Sequence, residues 1–416
     1  MGNAASADAQ RLPLTEDILR VILEQIPRED LKSASLVNRD LAAVSRSFIL
    51  RQFVLNLAHE DKCQRRLDTL RLSTSVSQYV KELSIVGDLA HKRWWQYLAE
   101  VEDGPVTMQV QALEELQQHI QNGIFKAGLK RVRWDAGLDM PVALIEAIQV
   151  AFPECSFVLE KYAGSALPPM PTLVSLTATV HCHGDPLLNF QPILRHATGL
   201  RTLQISAYNH TGCVVRGYTE AEFAALPKPF LTYDPSQPVC GGSGPMLQDL
   251  VLERFSWSVE GAISCLEQMS WSHLRKLELR RRDSVPLLQA CVPVSSNMPF
   301  LEEFVYTTWY GSEETRADIT QALQDFLSST SGLQVLHVEG PHHPLVSTIV
   351  AHHGETLRSL VLHDHERRDE PQRTTLTLGG LRRLGEKCRS LHHLGIDVDA
   401  DYTVSHTDSE VTLHQF

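Results

Sequence analysis

The sequence predicts an α/β fold in which a long, irregular array of strand–helix repeats follows a small all-helical unit. Three observations carry this. An apolar pattern of the form Leu-x-x-Leu-x-Leu recurs ten times between residue 80 and the C-terminal end. Ahead of it, short apolar stripes at helical period fill residues 12–58. The chain has 416 residues, too many for one compact core unless that core is a repeat array.

The elements follow in order. Residues 1–11 are expected to be a flexible tail. Thr15 is placed to cap a first helix, with Glu16 and Asp17 adding negative charge to its first turn. Ile18, Leu19, Ile22, Leu23 and Ile26 make a wide apolar stripe on it. Pro27 stops that helix and suits the first turn of the next. Leu31, Ala34, Ser35, Leu36 and Val37 carry a second stripe, and Leu41, Val44, Phe48 and Phe53 a third. A stretch of about 40 residues cannot bury that much apolar surface by itself, so other residues or a partner must cover the surplus. Residues 59–79 read as a helical connector.

The repeat occupies residues 80–416. Its patterns begin at residues 80, 129, 173, 200, 247, 274, 301, 333, 357 and 391. Five of the nine intervals fall between 24 and 32 residues, and the wide gap after 129 leaves room for a degenerate unit at Ser156-Phe157-Val158-Leu159. Helical stripes lie between strands at 141–152, 259–269, 316–327, 345–352 and 378–388. Each unit can bury its strand leucines only against its neighbours. Prolines and the Gly-Gly-Ser-Gly of 241–244 mark 209–246 as an insertion loop, with a short helix near 220–226. A doubly wound sheet would want a Gly-rich strand–helix turn, which is missing, and a barrel would want eight units.

Two resemblances follow from these residues. Residues 80–416 resemble a leucine-rich-repeat solenoid, with strands on the concave side. The match departs from the family at the position three after each strand's last leucine, where a turn-bonding Asn or Cys is usual. Here the seven units from residue 200 carry Tyr208, Phe255, Arg282, Trp309, Pro341, His365 and Asp399, so no side-chain ladder is expected. The helical unit resembles an F-box. It has Leu12-Pro13, Asp17 before Ile18-Leu19, Asp30-Leu31 and the run Ser35-Leu36-Val37-Asn38 in the family's order. Thr15 stands where that family usually has Pro. The pairing of F-box and irregular repeats is similar to that of many proteins of filamentous fungi. The resemblance implies that Leu12, Pro13, Leu14, Ile18, Leu19, Ile22, Leu31, Leu36 and Val37 bind a Skp-type adaptor, and through it a cullin.

The same resemblance implies a substrate-recognition subunit of a Skp–cullin–F-box ubiquitin ligase, whose repeats hold a protein to be ubiquitinated. Within each repeat the residue between the last two leucines points away from them. Arg133, Gln204, Val251, Glu278, Val305, His337 and Val361 fall in that column, with Lys276 in a flanking row. These are the expected substrate-binding residues, with the three valines as apolar anchors. The alternative is a lipid-anchored leucine-rich-repeat scaffold unconnected to any ligase. Met1-Gly2-Asn3-Ala4-Ala5-Ser6 matches the N-myristoylation pattern at Gly2. One acyl chain gives at most weak membrane association.

Catalytic and cofactor signals are missing. The sequence has no HExxH, P-loop, GxSxG or kinase set, so no enzyme and no cofactor are expected. Histidine pairs such as His352-His353 and His392-His393 lack zinc-module spacing, so no metal is expected. Arg280-Arg281-Arg282-Asp283-Ser284 has the form of a basophilic kinase site, with Ser284 as acceptor. Eight scattered cysteines without CxxC pairs fit a reducing compartment, cytoplasm or nucleus. A net charge of −12 argues against wholesale nucleic-acid binding.

Overall fold

The computed structural model describes residues 15–87, 104–137, 139–162, 167–181, 193, 196–211, 214–216, 246–254, 259, 262–263, 266, 270–280, 284–307, 316–340, 344–364 and 375–397. The chain divides into two compact units, 1–136 with 141–156, and 137–140 with 157–416. This boundary lies well beyond the one expected near residue 80. The helical unit and the first three strands share one compact body.

In the first unit, α1 (Glu16–Glu24), α2 (Arg28–Ala34) and α3 (Arg39–Ile49) pack together, with α3 touching both of the others. Leu19, Leu23, Leu31 and Val44 form their buried core, and Ile26, Leu41 and Phe48 pack around it. Thr15 is extended at the cap position but its hydroxyl makes no cap bond; its carbonyl accepts from Leu19 N–H at 3.0 Å. Asn38 caps α3 through its side chain, which accepts from Leu41 N–H at 2.8 Å. Phe53 belongs to no helix. It lies in β1 (Gln52–Asn56), a strand that sequence reading assigned to the helical region.

Three parallel strands follow in sequential order, β1, β2 (Glu82–Val86) and β3 (Arg131–Asp135). The connector is two helices, α4 (Glu60–Leu72) and α5 (Thr74–Tyr79). Helices α6 (Gly104–Gln121) and α7 (Val142–Ala151) pack on one another, and Phe125 meets Phe152 edge-on at 6.4 Å.

The second unit holds β4 (Ser156–Tyr162), β5 (Leu173–His181), β6 (Thr202–Thr211), β8 (Asp249–Glu253), β9 (Lys276–Arg280), β10 (Glu303–Thr307), β11 (Val335–Glu339), β12 (Ser359–His363) and β13 (His393–Ile396). Each pairs in parallel with the next in this order. All ten repeat patterns lie on strands, and the degenerate unit at Ser156 is β4. The short β7 (Val214–Arg216) turns back antiparallel on the end of β6, so part of the expected insertion loop is a hairpin. The rest of that loop, with 220–226, lies outside the described residues.

Helices α8 (Val285–Cys291), α9 (Arg316–Ser329), α10 (Leu345–His353) and α11 (Leu378–Lys387) each touch the next. The leucines of the repeat face them. Leu250, Leu277, Phe304, Leu336 and Leu360 are fully buried, and Phe304 lies 4.7 Å from Phe326 of α9. The equivalent Leu394 of β13 is 41% exposed, because no further described strand or helix covers it. Sequential order without a crossover is what stacked repeats produce; a doubly wound sheet reverses its order at a switch point.

The turn positions Phe255, Arg282, Trp309, Pro341, His365 and Asp399 lie outside the described residues, and a backbone ladder runs at the opposite end of the strands. The carbonyl of Arg275 accepts from the N–H groups of Glu302 and Glu303, at 2.8 and 2.9 Å. Glu302 serves Gln334 and Val335 in the same way, Gln334 serves Arg358 and Ser359, and Arg358 serves His392 and His393. A main-chain ladder makes no demand on side-chain type, which lets the repeats vary in sequence.

Candidate functional site

The first candidate surface is on the three-helix unit. Helix α1 is apolar on two faces. Leu19 and Leu23 point into the core, while Ile18, Val21 and Ile22, spaced at i, i+3 and i+4, stay exposed. In the turn between α2 and α3, Leu36 is 86% and Val37 70% exposed. So of the expected adaptor-binding residues, Ile18, Ile22, Leu36 and Val37 are surface residues. Leu19 and Leu31 are not; they are buried between the helices and can only support the surface. Leu12, Pro13 and Leu14 lie outside the described residues, as does Gly2. Val21 was missed, although its place one turn from Ile18 in a second stripe was visible in the sequence. Apolar side chains left this open are candidates for a contact surface where they form one patch.

The second candidate is the face of the second unit's sheet that points away from the leucines. Gln204, Val251, Glu278, Val305, His337 and Val361 stand side by side in register across six strands. Arg133 is in the first unit, beside Ser84 and 3.7 Å from Asp135. The column is real, but its centre is covered. Val251, Glu278 and Val305 are buried, and Glu278 is 3% exposed. The cause is local: Lys276 and Arg280, two residues either side on the same face, fold back onto the Glu278 carboxylate. Lys276 Nζ is 2.7 Å from Glu278 and 2.6 Å from Glu303, and Arg280 pairs with the other Glu278 oxygen. Burial pulls the Lys276 pKa down, but its bonds to Glu278 and Glu303 outweigh this and the net shift is upward. Val251 and Val305 therefore are not open anchors. Of the expected substrate-binding residues here, Lys276, Gln204, His337 and Val361 stay partly accessible, and Arg280, Glu303 and Glu339 on the same face do too.

At the C-terminal ends of the last strands a polar network closes the face. Arg316 Nη2 reaches both oxygens of buried Asp364 at 2.6 Å. Asp397 accepts the Asp364 backbone N–H at 2.6 Å and lies 2.8 Å from His363 Nδ1. Such satisfied groups hold strand ends together and leave little for chemistry.

The remaining sequence candidates resolve simply. Ser284 is 4% exposed, at the start of α8, so the expected phosphoacceptor is shielded by its own helix packing. Burial pushes the thiols up, Cys63 to about 11 and Cys155 and Cys291 to about 12. Such thiols remain protonated and poorly nucleophilic at neutral pH. Among the described residues no three His, Cys, Asp or Glu side chains gather as a metal site. Among them too, no helix is long and apolar enough to cross a membrane. No family model and no curated protein matches the chain.

Proposed function

We propose that this chain is a non-enzymatic substrate receptor: an F-box that docks on a Skp-type adaptor and cullin, followed by irregular leucine-rich repeats that hold a protein target. One observation carries the reading. The three-helix unit closes its own core and still leaves Ile18, Val21, Ile22, Leu36 and Val37 open to solvent. That arrangement supplies surplus apolar surface for a partner, and four of its five residues, Ile18, Ile22, Leu36 and Val37, are ones that the F-box resemblance assigns to the adaptor. Sequential parallel strands with helices on the leucine side fit the repeat half of the reading.

Target binding belongs to the accessible groups of the sheet face, His337 and Val361 with Lys276 and Arg280 at its centre. The test is purification of the full-length protein from a eukaryotic host with its native partners. Recovery of a Skp adaptor together with a cullin supports the receptor. Recovery of neither, with the protein in the membrane fraction through an acylated Gly2, favours the lipid-anchored scaffold instead.

A further inference from the structure

The residue just before each of the first three strands is basic: Arg51 before β1, Lys81 before β2 and Lys130 before β3. The backbone fixes their spacing. The Arg51 carbonyl accepts from Lys81 and Glu82 N–H at 2.8 and 3.0 Å, and the Lys81 carbonyl from Lys130 and Arg131 N–H at 2.7 and 3.2 Å. The Lys130 carbonyl accepts the Ser156 N–H and hydroxyl at 3.0 and 2.9 Å. The three cations thus stand one strand apart, at roughly 4.8 Å intervals. Arg131 adds a fourth beside Lys130, and all four are exposed.

The only acid at these strand starts is Glu82, which Arg51 Nε engages at 3.0 Å. Lys81, Lys130 and Arg131 form no ion pair with any described residue. Like charges on adjacent strands oppose one another. The chain carries 50 acidic against 38 basic residues, so it has ample means to neutralise such a row. The second unit breaks its row instead. Its equivalent positions, on the same backbone ladder, are Arg201, Gln248, Arg275, Glu302, Gln334, Arg358 and His392, and Arg275 pairs with Glu302 at 3.0 Å. Basic residues here are therefore no requirement of the fold.

We propose that this strand-start rim of the first unit is a docking strip for an extended acidic segment of a protein partner. A single file of cations, one per strand, matches an extended chain that rises about 3.3 Å per residue and carries Asp or Glu on flexible stems. A membrane surface would call for a two-dimensional patch, and nucleic acid would meet a molecule of net charge −12. The proposal stands whether or not the chain serves a ligase.

The experiment is fluorescence anisotropy of the full-length protein with a labelled oligo-glutamate peptide, at low and at physiological salt. Binding should weaken as salt screens the strip. The double variant Lys81→Glu, Lys130→Glu should weaken it about tenfold or more. The milder Lys81→Gln, Lys130→Gln should act in the same direction with unchanged circular dichroism, which separates lost charge from lost fold. Arg358→Glu in the second unit should leave binding as it was. No binding by the parent protein, or binding that survives both double variants, overturns the proposal. So does a preference for phosphatidylserine vesicles or a single-stranded oligonucleotide over the peptide.

Discussion

The buried imidazole of His353 bonds through Nε2 to the carbonyl of Leu327, at 3.0 Å, and so ties the last turn of α10 to that of α9. Its Nδ1 accepts the Leu333 N–H at 3.4 Å, which fixes the neutral tautomer. Burial lowers its pKa most, the Leu327 bond raises it and His352 lowers it further; the result is about 4, against an ordinary 6.5. The folded pKa lies below the unfolded one, so the unfolded chain takes up the proton first as pH falls. The contribution is full above about pH 6.5 and is lost progressively towards pH 4, on the order of 3 kcal/mol. Urea unfolding at stepped pH should show a steeper acid loss for the parent than for His353→Gln. Equal slopes would contradict this.

Glu278 and its two cations should respond asymmetrically. Lys276→Ala with Arg280→Ala strands a buried carboxylate and should cost about 3 kcal/mol. Glu278→Gln should cost less than about 1 kcal/mol, because the part-exposed cations return to water and Lys276 keeps Glu303 at 2.6 Å. Chemical denaturation of both variants checks the ordering, and a reversed order would refute the arrangement.

Leu19 and Leu36 should separate core from surface. Leu19→Ala should destabilise the helical unit by about 2–5 kcal/mol, seen as faster amide exchange across α1–α3. Leu36→Ala should stay within about 0.5 kcal/mol of the parent. Comparable destabilisation by both would mean that Leu36 is packed.

Much of the repeat half was legible because a strand alternates with period two and a helix does not. Every Leu-x-x-Leu-x-Leu pattern placed a strand, and the middle row from Gln204 to Val361 fell into register without further information. β1 was lost because Phe53 extends the spacing of the α3 stripe, while the alternation of Phe53, Leu55 and Leu57 was passed over. The burial of Glu278 could not be read from spacing, since it depends on how Lys276 and Arg280 fold over it. Leu19 and Ile18 are neighbours in one apolar run, and only the packing of α3 decides which of them is core. The basic rim joins residues far apart in sequence, and only strand pairing brings Arg51, Lys81 and Lys130 together.

The exposed apolar side chains of α1 and of the α2–α3 turn carry the proposed adaptor contact, and direct titration of purified full-length protein with a purified Skp-type adaptor tests it. The parent should bind. Ile22→Asp with Leu36→Asp, both on the surface, should leave circular dichroism unchanged and weaken binding by roughly a hundredfold or more, since central interface anchors carry about 2 kcal/mol each. No binding by the parent, or equal binding by the double variant, would contradict the assignment of that surface to the adaptor.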